Sequence, residues 1–169
     1  LAVEACGKNE NLKKFGIPVF HQKGYLSVED ESESVSKTLE YAYDDWCYLQ
    51  LLKYQNPNAK SDQTEFQQFA KKGALGWQNL YNTENSFIHP RKNGCWLTPF
   101  EPREVNNHFT EANAWQYTFY VPQDVKGMVN LMGGPQAFEK KLDDLFSQPT
   151  QTTGRDQADI SGQIGQYAH

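Results

Sequence analysis

The chain has little that could cross-link it or hold it in a membrane. Its three cysteines, Cys6, Cys47 and Cys95, are far apart, so they neither complete a disulfide set nor form a CxxC zinc pair. Cys47, beside Trp46 on an apolar helical stretch, reads as a small buried hydrophobe. No apolar run approaches the roughly 20 residues that cross a bilayer. Leu1 to Cys6 is too short for a signal peptide and lacks its basic flank. Lys and Arg nowhere cluster and the formal net charge is −5, which argues against a nucleic-acid surface. There is no fixed-period repeat, low-complexity tract or shift of composition. The 169 residues are therefore expected to form one unit without an internal boundary.

Aromatic residues, by contrast, make up 14% of a chain that is only 38% apolar. That balance suits a carbohydrate-handling surface, and equally a small core built on rings. Residues 1–23 show no sustained period and read as loop, with a short extended piece at Ile17-Pro18-Val19-Phe20 and a solitary His21. Val35, Leu39, Ala42, Trp46 and Leu49 recur at spacings of three and four, which predicts a helix over 31–54 with Asp30 and Glu33 as a capping pair. Asp44 and Asp45 point about 100° apart on that helix and cannot act together, so a solvated or hydrogen-bonded structural role is expected. A second helix is predicted over 63–81, with Gly73 and Gly76 marking close packing or a bend. Asn93-Gly94 predicts a tight turn within 87–97, whose Trp96 either covers a sugar or anchors the hairpin. Further helices are expected over 125–132 and from Pro135, with Phe138, Leu142, Leu145 and Phe146 buried and Lys140, Lys141, Asp143 and Asp144 solvated. Residues 147–156 read as a polar loop, with a last helix from about Asp159.

The most unusual stretch is Thr98 to Gln123. Thr110 is placed to start a helix, with Glu111 in its first turn. On such a helix Glu111, Ala114 and Trp115 share one face. A carboxyl beside an indole, with Asn113 and Gln116 near, is the composition of a sugar pocket, in which rings cover the apolar side of a pyranose and polar groups bind its hydroxyls. Core packing of Trp115 and Tyr117, with Glu111 as an ordinary first-turn acid, has the same spacing, and the residues alone do not separate the two.

Four blocks carry a resemblance. FEPREVNN from Phe100, EANAWQY from Glu111, ESVSKTLEYAYDDWC from Glu33, and GRDQADI from Gly154 with GQYAH from Gly165 resemble glycoside hydrolase family 92 and keep its order. The resemblance implies an all-α fold that is part of an (α/α)6 toroid, with a short hairpin in an inter-helix loop. It implies part of a secreted, periplasmic or cell-surface inverting exo-α-mannosidase, α-1,2 in preference, acting on mannose-containing glycans. Glu111 then takes the general acid position, with Trp115 beside it to favour the protonated form. Asn113, Trp115, His108, Glu104 and His169 become candidate pocket residues. Calcium is implied as the metal, with Gln116, and Asn113 beside it, as oxygen ligands. In the family GQYAH runs on into Asn-Glu-Pro-Ser-His-His and then an aspartate base. The chain is thus expected to be a piece of a catalytic domain, inactive alone and partnered by the remainder of the same polypeptide. A non-catalytic carbohydrate-binding module and a purely structural portion of the toroid are the alternatives.

Overall fold

The computed structural model describes residues 15–55, 65–155, 160 and 162–167, and about half of its described residues are helical. In chain order the helices are α1 (Ile17–Lys23), α2 (Ser34–Gln55), α3 (Glu65–Gly73), α4 (Ala114–Tyr117), α5 (Val125–Leu131) and α6 (Pro135–Ser147), with a 3₁₀ turn at Gly76–Leu80. Six two-residue strands accompany them: β1 (Tyr81–Asn82), β2 (Phe87–Ile88), β3 (Arg91–Lys92), β4 (Cys95–Trp96), β5 (Glu104–Val105) and β6 (Thr153–Gly154). β1 with β2 and β3 with β4 are antiparallel, whereas β5 and β6 pair in parallel. The tight turn at Asn93-Gly94 is present, but Phe87 and Ile88 pair upstream with β1, and 153–154 is strand where polar loop was expected. The last helix expected from Asp159 is not formed at the described residues 160 and 162–167, where the chain instead turns and closes an antiparallel bridge between Ile164 and Tyr167.

Residues 17–23 form a helix where a short extended piece was expected. Pro18 fits the first turn, Gly24 closes the far end with its N–H on the Phe20 carbonyl, and Phe20 is fully buried. The expected Asp30–Glu33 capping pair at α2 is also absent. Asp30 instead accepts from the Ser27 N–H and from Lys23. The start of α2 is satisfied from a distant loop: the N–H of Glu33 donates to the Asn107 carbonyl (2.6 Å) and that of Val35 to the His108 carbonyl (3.1 Å).

Val35, Leu39 and Ala42 are buried as the apolar period predicted, but the next two inward positions are Asp45 and Tyr48, with Trp46 and Leu49 only half-buried. Asp45 is tolerated inside because His21 meets it, with Nε2 at 3.2 Å from Oδ2. His21, expected to be solitary, is therefore this carboxylate's partner and lies parallel to the Phe69 ring. Burial pushes the Asp45 carboxyl above its ordinary range, against the pull of His21.

The helix predicted over 63–81 ends at Gly73 and resumes as the 3₁₀ turn. Both glycines are required by close approach: a Cβ on Gly73 would lie 1.8 Å from Asp45 Oδ2, and one on Gly76 would lie 2.6 Å from the Gly24 carbonyl oxygen. α3 and the 3₁₀ turn therefore make their close approaches to α2 and to the end of α1 at these two glycines.

The larger core gathers Val35, Leu39, Trp77, Leu80, Ile88, Phe109, Trp115 and Val121 around the middle of the chain, and Met128, Met132 and Leu145 extend it to α5 and α6. On α6 the expected stripe is only half realised, since Leu145 is buried but Leu142 and Phe146 are exposed. Phe146 packs on Tyr167, itself exposed. Lys141, expected in solvent, is half-buried, and its ammonium lies 3.3 Å from the centroid of Phe87 and 4.4 Å from that of Trp115. Burial holds its pKa down to about 8.

Two outcomes are expected from this packing. Gly73→Ala should lower stability to denaturant by about 1–3 kcal/mol, opposite to the usual helix preference for alanine, and the loss should shrink in an Asp45→Ala background. For Lys141 the folded pKa of about 8 lies below the ordinary lysine value of 10.5, so between these limits the unfolded chain holds a proton that the folded chain has lost. Stability measured against pH should therefore rise from about 8 to 10.5, relative to Lys141→Met, which lacks this slope.

Candidate functional site

The stretch from β5 to α4 is a looped ribbon held from three sides. On one side β6 pairs with β5: the Thr153 N–H donates to the Arg103 carbonyl and the Arg155 N–H to the Val105 carbonyl. The Arg155 guanidinium donates to Asn107 Oδ1. On a second side lies the start of α2, whose contacts with Asn107 and His108 are joined by a bond from the Thr110 N–H to Ser36 Oγ (2.8 Å). Within the ribbon, Asn106 accepts from the His108 N–H and donates to Glu104 Oε2, which fixes Glu104 and His108 on neighbouring turns. Both side chains are half-buried. Burial depresses the His108 pKa, and the Glu104 carboxylate works against it.

The third side is an amide cluster. Asn113, with extended backbone (φ −135°, ψ −179°), caps α4: its Oδ1 accepts from the N–H of Trp115 and of Gln116, and Gln116 Oε1 accepts from the Asn113 N–H in return. Asn113 Nδ2 donates to Gln166 Oε1 (2.9 Å) and Gln116 Nε2 to the Gln166 carbonyl (3.1 Å). Gln166 is fully buried and donates to the carbonyls of Pro149 and Gln151. The EANAWQY, ESVSK and GQYAH blocks, well separated in sequence, thus meet around residues 104–117.

The helix begins three residues later than expected. Thr110 is not its cap, and Glu111 lies before the helix in an exposed turn with φ 50°, in the left-handed region. The helical spacing that put Glu111 and Trp115 on one face therefore does not apply. Trp115 is 7% exposed and meets Phe87 edge-on at 4.8 Å, within the core. Asn113 is fully buried with its amide engaged by this chain, and Gln116 uses both amide atoms internally. Glu104 and His108 flank the ribbon that ends at Glu111. His169 lies outside the described residues.

Trp96 is covered by the Arg91 guanidinium, 3.7 Å from its ring centroid, which fits the hairpin-anchor role. His89 is an anchor that sequence reasoning did not single out. Its Nε2 must carry the proton donated to the Leu97 carbonyl (2.7 Å), which leaves Nδ1 to accept from Asn85. Ser36 and Gln166 were also missed as individual residues, although each lies in one of the quoted blocks, and Tyr117 was read only as core. A cavity of about 250 Å³ lies between the β1–β2 turn and α6, lined by Asn85, Ser86, Met132 and Lys141 among others, and neither Glu111 nor His108 faces it.

The implied calcium was tested against these donors. Among the described residues no group of three or more His, Cys, Asp or Glu could hold a metal ion. Calcium takes six to eight oxygens. Gln116 Oε1 already accepts one hydrogen bond and offers at most a second lone pair. The described residues therefore do not make a calcium cage. No described helix is long and apolar enough to cross a membrane.

Comparison with known proteins agrees with the assembled blocks. The glycosyl hydrolase family 92 catalytic domain matches residues 2–169. A family GH92 α-mannosidase from Bacteroides thetaiotaomicron is 38% identical, with a TM-score of 0.74 over 90% of this chain and 20% of that one. Its complex with mannoimidazole superposes with a TM-score of 0.77 over the same shares at 36% identity. A GH92 inverting mannosidase from Bacteroides thetaiotaomicron VPI-5482 is 30% identical, with a TM-score of 0.69 over 79% of this chain and 18% of that one. An uncharacterised secreted glycosidase of Arthroderma benhamiae is 26% identical over 99% of this chain and 24% of its own length. The chain thus spans about a fifth to a quarter of the relatives it matches. It belongs to glycosyl hydrolase family 92.

Proposed function

We propose that this chain carries the general acid of a secreted, inverting exo-α-mannosidase that removes terminal α-linked mannose from glycans, with preference for the α-1,2 linkage. The observation that carries the reading is Glu111 itself. Its backbone is held at φ 50°, a conformation that a glutamate disfavours, at the exposed end of a ribbon fixed from three sides. A general acid needs a carboxyl whose backbone is held in place while its side chain stays open to substrate. The family membership, and neighbours that include an inverting mannosidase and a mannoimidazole complex, support the substrate class and the stereochemistry. The secreted relative supports an extracytoplasmic location.

In an inverting glycosidase one carboxylic acid protonates the departing oxygen while a second carboxylate activates water on the opposite face of the ring. Glu111 supplies the first proton. Glu104 and His108, on the adjoining turns, are proposed to line the pocket, and Asn113 and Gln116 to shape it from behind. No described residue is assigned the general base. The helices are proposed to form part of an (α/α)6 toroid with the remainder of the same polypeptide, whose packing would cover Leu142, Phe146 and Tyr167. The carbohydrate-binding module loses its main support, since Trp115 is buried and Trp96 lies under Arg91.

Glu111→Gln in the full protein should lower kcat on an unactivated mannobiose by roughly 10²–10⁴-fold with KM little changed. An aryl mannoside, whose leaving group needs little protonation, should lose far less. Equal loss on both substrates would count against Glu111 as the acid. The calcium that the family resemblance implies is read separately: chelation should abolish turnover and added calcium should restore it.

A further inference from the structure

We infer that Ser36 and Tyr117 are positioning residues for Glu111, acting through the backbone of Thr110. The inference rests on the reading of Glu111 as the acid. Thr110 is gripped at both of its backbone polar atoms by side-chain hydroxyls. Its N–H donates to Ser36 Oγ at 2.8 Å, and the Tyr117 hydroxyl donates to its carbonyl at 3.3 Å. The two hydroxyls come from different elements, the first turn of α2 and the last residue of α4.

The Thr110 carbonyl belongs to the planar peptide that includes the Glu111 nitrogen. Holding that oxygen fixes the plane from which the φ of Glu111 is measured, and so the direction in which its side chain leaves the backbone. The neighbouring bonds from Glu33 and Val35 to the ribbon use backbone N–H groups and survive most substitutions there. The two bonds at Thr110 depend on hydroxyls, and so on the identity of residues 36 and 117. Ser36 is 3% exposed, so few waters can replace its oxygen, and a methyl in its place leaves the Thr110 N–H without that acceptor. The ribbon would then be free to let Glu111 leave its left-handed conformation.

The experiment is a kinetic comparison in the full protein of Ser36→Ala, Tyr117→Phe, Ser36→Thr and Glu111→Gln. The first two should each lower kcat on unactivated mannobiose by on the order of tenfold through misplacement of the acid, with KM changed by less than about twofold. Both should also displace the limb of the pH–rate profile that reports the acid, and Ser36→Thr should restore most of the rate. A merely structural role would lower the melting temperature and leave the pH limb of the folded fraction unmoved. Should Ser36→Ala fail to fold, Tyr117→Phe decides alone. If both variants keep the parental kcat and pH profile while Glu111→Gln is inactive, positioning is overturned and the acid assignment stands. If Glu111→Gln keeps the parental rate, the acid assignment fails and the positioning role with it.

Discussion

The arrangement depends on a buried carboxamide. Gln166 has no exposed surface, and each of its polar atoms would be costly to leave unpaired there. Its side chain and backbone are satisfied by Asn113 and Gln116, by the carbonyls of Pro149 and Gln151, and by the Leu145 carbonyl that receives its N–H. Those partners lie on the ribbon, on the loop after α6 and at the end of α6. One residue therefore welds the C-terminal part to the turn that bears Glu111. Gly165 belongs to the same joint, because a Cβ there would lie 2.3 Å from the Leu145 carbonyl oxygen.

Opposite this joint, the ribbon meets the open end of α2. The N–H groups at the start of the helix need acceptors, and the loop offers the carbonyls of Asn107 and His108. Each completes the other, which is why residues 33–36 and 107–110 run together although more than seventy positions separate them.

Much of this was legible in the sequence, and what was not shares a cause. The apolar period found α2 and α6 because their inward residues follow helical spacing over several turns. It missed α1, where two turns are too short for a period and the evidence lay in Pro18 and Gly24. It misjudged Lys141, and the hydrogen-bonded role expected for Asp45 was read without its partner, since a charged group goes inside only when something distant receives it, the faces of Phe87 and Trp115 in one case and His21 in the other. The start of α4 was misplaced for a related reason. Thr110 and Asn113 are both plausible caps, and the choice was made by Gln116 three residues on and by Gln166 fifty-three residues away. The resemblance of the blocks pointed to Glu111, but its setting, exposed and left-handed before the helix, could be read only from long-range contacts.

That setting puts durability and chemistry in opposition at one position. A left-handed glutamate carries about 1–2 kcal/mol of backbone strain that glycine would not. Selection for heat resistance alone would therefore drift toward glycine at residue 111 and keep the turn while discarding the carboxyl. A lineage that retains glutamate there is retaining a slightly weaker scaffold for the sake of the side chain.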